Sequence, residues 1–223
     1  MLKPLFSTFL LLVLPLWLSA QQISLDFGRT RSGFDYRNSA GEKADNLLPS
    51  AGFYLAGGLR WPLKPGKLEL HSGLSFNRYG ATGSDPQLEN RYAWEMEYLG
   101  LDVRLNYNLL NISHFLQRKN GMVQSREGIT LRVVGGIASE FLLQGNQTIN
   151  NNTYSLVGAE QFDKPMLFAR GGLEFNYDFT EELSVYLQYL VGKSFPVFSG
   201  SDEEKLSLIT HHLGIGLLVR LKS

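Results

Sequence analysis

The sequence predicts an all-β fold: an eight-stranded, antiparallel, up-and-down transmembrane β-barrel with short periplasmic turns and longer extracellular loops. Three observations predict it. Apolar and polar residues alternate with a period of two in eight separate segments. The connections between these segments alternate between short and long. The chain opens with an export signal, yet after it no apolar run is long enough for a spanning helix.

The amino terminus is read as a targeting segment. Lys3 supplies a positive charge, and residues 5–18 (LFSTFLLLVLPLWL) form an apolar core of 14 residues. That length lies in the range of about 7–15 expected of a signal peptide and short of the roughly 20 of a spanning helix. Cleavage is expected after Ala20, which divides the chain into a signal peptide (1–20) and a barrel domain (21–223). Beyond it, the longest run of strictly apolar residues and glycine, tyrosine not counted, is 213–219.

The strand segments follow in order. A short apolar face of Ile23, Leu25 and Phe27 comes first. Phe53, Leu55, Leu59 and Trp61 then alternate with Tyr54, Ala56 and Arg60. Leu68, Leu70, Leu74 and Phe76 alternate with Glu69, His71, Gly73 and Ser75. Leu99, Leu101, Val103 and Leu105 alternate with Gly100, Asp102, Arg104 and Asn106. Ile129, Leu131, Val133 and Ile137 form the fifth apolar face. The sixth segment is the clearest: Leu167, Ala169, Leu173, Phe175, Tyr177 and Phe179 against Phe168, Arg170, Glu174, Asn176 and Asp178. Leu183, Val185, Leu187, Tyr189 and Val191 make the seventh face, and Ile209, Leu213, Ile215, Leu217, Val219 and Leu221 the last. Successive strand side chains point to opposite faces, so each segment offers one apolar and one polar surface.

Residues 62–66 and 180–182 read as tight turns; 33–49, 81–91, 145–164 and 197–205 read as polar loops. The exception is 110–128, long and basic where a short turn is expected, within which 111–119 reads as a short amphipathic helix. Around Tyr92, Trp94, Met96 and Tyr98 the bulky residues move to the even side, which suggests a stretch above the bilayer or a β-bulge near Tyr98. Trp61, Tyr107, Tyr177 and Phe179 at one end, and Tyr79, Tyr92, Trp94, Phe141, Phe195 and Phe198 at the other, suggest two aromatic girdles. The girdles and the loop asymmetry favour a membrane barrel over a soluble one.

Lys plus Arg and Asp plus Glu both number 21, and this balance argues against nucleic-acid binding. The absence of cysteine excludes disulfides, thiolate metal sites and a cysteine-linked lipid anchor. The polar faces converge on the barrel interior, where Asp26, Arg60, Glu69, Asp102, Arg104, Arg132, Glu174 and Arg220 are expected to form a structural charge network in the periplasmic half. Glu140, Arg170 and Asp178 belong to the same faces. Buried charges need partners, so nearly matched signs point to a salt-bridged plug rather than an ion path.

No catalytic or metal-binding motif emerges. His211 and His212 are adjacent on a strand and point to opposite faces, so they cannot chelate one metal. His71 and His212, with Ser184 and Ser207, are the only candidates for a lipid-modifying enzyme, and nothing marks a triad. Asp202, Glu203 and Glu204 read as a solvated loop tip. No cofactor is expected.

The chain resembles the PorT-like outer-membrane β-barrel family of Bacteroidetes-type bacteria. The resemblance rests on Glu97-Tyr98-Leu99-Gly100-Leu101-Asp102-Val103, on Gly135-Gly136-Ile137-Ala138 followed by Phe141-Leu142-Leu143, and on Phe162-Asp163-Lys164 leading into Gly171-Gly172-Leu173-Glu174-Phe175. It implies an eight-stranded barrel in the outer membrane of a Gram-negative bacterium, in a family whose namesake is linked to protein secretion and gliding machinery. The expected role is non-enzymatic, structural or accessory, with both termini periplasmic. The expected partners are outer-membrane lipid and another envelope protein, with no nucleic acid. A small selective pore and a lipid-modifying enzyme are the alternatives.

Overall fold

A computed structural model describes residues 22–37, 46–85, 90–116, 125–158, 165–195, 197–198 and 205–221. The signal peptide expected at 1–20 lies outside the described residues. Eight long strands are present: β1 (Gln22–Arg37), β2 (Leu47–Lys64), β3 (Leu68–Asp85), β4 (Asn90–Leu116), β5 (Ser125–Ile149), β7 (Met166–Asp178), β8 (Leu183–Ser194) and β10 (Lys205–Arg220). Two short ones flank them: β6 (Asn152–Ser155) folds back on β5, and β9 (Val197–Phe198) pairs with β10.

Each long strand pairs antiparallel with the next, and β1 pairs with β10 from Gln22↔Arg220 to Arg37↔Lys205, so the sheet closes on itself. The register can be followed around the ring from Gln22 through Arg60, His71, Arg104, Gly136, Arg170, Gly192 and Thr210 to Ser32. The circuit returns to β1 ten residues above its start. Eight strands with that stagger tilt by about 40° and enclose a space that side chains just fill.

The local sequence explains the ends. Gly66 sits at φ 72° in the β2–β3 turn, a conformation that costs glycine nothing, and Lys67 N–H donates to the Lys64 carbonyl at 3.0 Å. In the β7–β8 turn, Thr180 Oγ1 accepts from the Leu183 N–H at 3.0 Å and the Glu182 N–H at 3.2 Å.

Polarity is inverted relative to a soluble barrel. Ile137 is 65% exposed and Phe27 60%, whereas Glu174 is 1% and Arg60 2% exposed. Water would reject such a wall; hydrocarbon accepts it and forbids unpaired backbone, which the closed ring satisfies. The protein is therefore a transmembrane β-barrel. Among the described residues no helix is long and apolar enough to cross a membrane.

Three expectations change. First, β4 continues as strand to Leu116, paired with β5 through Ser113↔Gly128 and Leu116↔Ser125, where an amphipathic helix over 111–119 was expected. Cross-strand pairing overrides the local helical pattern there. Residues 117–119 lie outside the described residues. Second, the β-bulge expected near Tyr98 is present as a register slip between Glu97 and Tyr98, and what changes is its effect, because the extra residue, Leu143, is on β5. On β4 the inward phase is unbroken: Met96, Tyr98, Gly100, Asp102 and Arg104 are all buried. The interior itself changes from charged to apolar at this level. Glu95 and Glu97 face outward beyond Leu99, and Glu95 pairs with Arg78 at 2.8 Å. Third, Tyr79 is 1% exposed and Trp94 packs on an interior cluster, with Tyr92 stacked upon it at 5.8 Å between ring centroids. These three rings belong to the inner side rather than to a lipid-facing girdle. Phe141 and Phe195 do face outward, as do Tyr107 and Phe179 at the turn end. The side chain of Phe198 lies outside the described residues.

Candidate functional site: the filled lumen

Inward side chains stack in three levels from the turn end to the loop end. Nearest the turns, Glu174 accepts from both terminal nitrogens of Arg60, at 2.9 Å each, and from Arg132 Nη1 at 2.7 Å. Glu69 lies 3.4 Å from Arg132 Nη2 and 4.0 Å from Arg60 Nη1. Arg60 also lies over the Tyr186 ring, 4.7 Å from its centroid.

The middle level joins Asp26, Asp102 and Arg104. Asp26 accepts from the Tyr186 hydroxyl at 2.8 Å and from Gln188 Nε2 at 2.7 Å. Arg104 Nε donates to Asp102 at 2.9 Å, and Arg104 Nη1 donates to Gln188 Oε1 at 3.2 Å. Gly214 and Gly216 make room for this level: a Cβ at either position would run into the Tyr54 hydroxyl or the Tyr186 ring. At the third level Glu140 accepts from Arg170, from Asn77 Nδ2 at 2.9 Å and from the Tyr79 hydroxyl at 3.1 Å. Above it Tyr79, Met96, Tyr98, Leu156, Met166, Phe168 and Leu208 form an apolar cluster that seals the loop end.

Seven of the eight expected network residues, Asp26, Arg60, Glu69, Asp102, Arg104, Arg132 and Glu174, are thus buried, and each has a partner. Arg220 is separate. It pairs with Asp178 at 2.6 Å at the turn-end rim, where its side chain is 29% exposed. The expected network did not include Tyr54, Tyr186, Gln188 and Asn77, which hydrogen-bond within it; Tyr186 joins two levels, donating to Asp26 and lying under Arg60. Their signal was available: Tyr54 and Asn77 share the inward parity of Arg60 and Glu69 on their own strands, and Tyr186 and Gln188 alternate with outward Leu187 and Tyr189 on β8.

The candidate lipid-modifying residues do not converge. Ser184 donates to Asp178 at the rim, at 2.5 Å, whereas His212 stacks edge-on against Tyr54 and Tyr79 at 5.2 and 6.0 Å. His71 has an unforeseen neighbour in Ser24: His71 Nε2 is 3.1 Å from Ser24 Oγ and Nδ1 is 3.2 Å from Asp102. Arg104 Nε also points at Nδ1, at 3.1 Å. With Nδ1 accepting from Arg104, Nε2 donates to the serine; with Nδ1 donating to Asp102, Nε2 accepts from it. Ser24 is 1% exposed. Among the described residues no three His, Cys, Asp or Glu side chains are grouped to hold a metal ion.

These features define a transmembrane β-barrel with a polar, filled lumen and an apolar cap. No known family profile matches the chain, and no curated protein does. Among solved structures, the outer membrane protein OprG of Pseudomonas aeruginosa is 13% identical, with 91% of this chain and 98% of that one covered at a TM-score of 0.45. The outer membrane protease OmpT of Escherichia coli is 10% identical, covering 91% and 97% at a TM-score of 0.46. The attachment invasion locus protein Ail of Yersinia pestis is 10% identical, covering 89% and 99% at a TM-score of 0.37.

Proposed function

We propose that this protein is a barrel of the Gram-negative outer membrane, with both termini periplasmic and a non-enzymatic accessory role beside another envelope component. The observation that carries this reading is the β4–β5 hairpin. β3 stops opposite Tyr107 and the β5–β7 pairing stops at Gly128↔Asp178, yet β4 runs on to Leu116 and β5 begins at Ser125. The pair therefore projects past the rim, and the β4 edge beyond Leu109 has no neighbouring strand among the described residues. In sequence, Arg118, Lys119 and Arg126 give the 110–128 stretch positive charge. A free edge with charge nearby suits an extended segment of a partner, which would add to it as a further strand. The resemblance to the PorT-like family accords with such a role.

The filled interior favours this reading over a pore. The burial of Ser24 and the separation of Ser184 from His212 favour it over a lipid-modifying enzyme. The test is purification of tagged protein from the native outer membrane in mild detergent, with mass spectrometry of co-eluting proteins. One or two stoichiometric envelope proteins, lost when residues 110–128 are shortened, are expected. A lone barrel, or partners indifferent to that deletion, would overturn the proposal.

A further inference from the structure

The outer wall of β1, β10 and β8 breaks the apolar belt at one place. On β1 the outward row runs Ile23, Leu25, Phe27 and then Arg29 and Arg31, both exposed. Arg31 is directly opposite His211 on β10, and Arg29 is opposite Leu213. His211 lies between outward Ile209 and Leu213, which are 37% and 54% exposed. On β8, Lys193 lies between Val191 and Phe195, which are 38% and 56% exposed. The basic residues are thus flanked by lipid-facing apolar residues rather than clustered on a loop. Three adjacent strands span only about 10 Å, so one headgroup can meet them all.

The counter-charges are accounted for. Lys193 is 3.8 Å from Asp35, with its own side chain 61% exposed. Tyr189 and His211 share a hydrogen bond, hydroxyl to Nδ1, at 2.8 Å. With Tyr189 donating, His211 Nε2 carries a hydrogen that is free to donate outward. Arg29 and Arg31 have no acidic partner among the described residues. Another outward cation, Arg78 on β3 two strands away, is neutralised by Glu95 at 2.8 Å. Two unpaired guanidiniums in a hydrocarbon-facing wall are costly unless an anion meets them there.

We propose that Arg29, Arg31 and His211, with Lys193 at the edge, bind the phosphate of an acylated, phosphorylated glycolipid of the outer leaflet. Guanidiniums take phosphate bidentately, and the flanking Phe27, Leu213 and Val191 receive the acyl chains. The leaflet assignment rests on the orientation given under Proposed function; the lipid contact itself does not.

The test is native mass spectrometry of detergent-purified protein titrated with bisphosphorylated lipid A and with the same lipid dephosphorylated. Wild type should prefer the phosphorylated form. R29Q/R31Q should lose roughly 30-fold in affinity for it, and should bind the dephosphorylated lipid as wild type does. R78Q should behave as wild type. Heat-modifiable gel mobility confirms folding, and R31Q alone serves if the double variant folds poorly. Equal binding by wild type and variant overturns the proposal. So does displacement by millimolar inorganic phosphate, which would make this a free-anion site. Orientation is scored separately: Asn151→Cys, in a chain without cysteine, should react with an impermeant maleimide on intact cells. Failure of that labelling overturns the orientation and leaves the binding result to stand by itself.

Discussion

Replacing Glu174 with Gln tests whether the lumen network holds the barrel together. Glu174 is 1% exposed and meets two cations. Its loss leaves them unequally placed. Arg132 keeps Asn108 at 2.9 Å and Glu69 at 3.4 Å. Arg60, 2% exposed, keeps only a 4.0 Å approach to Glu69 and the Tyr186 ring at 4.7 Å. Removing one member of a buried pair costs about 3–5 kcal/mol. Because Glu69 remains, the lower end applies, about 3 kcal/mol, or roughly a hundredfold in the folding equilibrium. The assay is reversible urea unfolding in lipid vesicles, followed by tryptophan fluorescence. The double variant Arg60→Met/Glu174→Leu, which removes both partners, should be closer to wild type than Glu174→Gln alone. A Glu174→Gln midpoint within about 0.5 kcal/mol of wild type, with unchanged slope, would refute the reasoning.

Three more outcomes are expected. Asp178→Asn, at the rim, should cost less than about 1 kcal/mol by the same unfolding assay, because the Asp178–Arg220 pair is partly solvated. Gly214→Ala should cost about 1–3 kcal/mol by overpacking, and Tyr54→Phe in that background should recover part of it, since the added Cβ meets the Tyr54 hydroxyl; both are read from urea midpoints. Purified wild-type protein should show no steady conductance in a planar bilayer, and reproducible open channels would contradict the sealed lumen.

The strands were legible because the wall has two faces and every long strand carries both. Their ends were less so. Ile112, Phe115 and Leu116 fall at helical spacing, and only pairing with residues 125–129 of β5 makes them strand. Tyr79 and Trp94 were placed as girdle residues from their height along the chain. Parity, which on β3 and β4 turns both inward, decides otherwise. The charged lumen could be read residue by residue because, below the level of Arg29 and Arg31, the charges on the strands share the inward parity and bury poorly in hydrocarbon. The choice of partner could not, since it depends on the stagger of all eight strands. Arg220 shows this: its even parity on β10 suits the interior, but β10 carries it past the last level to the rim.

The seam between β1 and β10 has a consequence for how the molecule is made. The hairpins from β2 to β8 join neighbours in sequence and can form as the chain emerges. The last ladder joins Gln22 to Arg220, almost the whole described chain apart. Until it forms, the sheet is an open ribbon with two raw edges. Long-range closures are slow, and raw edges invite pairing with other chains. A nascent copy thus needs shelter until its final strand arrives. A copy truncated before residue 205 would keep the hairpins from β1 to β8, lose β10 with both of its ladders, and be unable to become a cylinder.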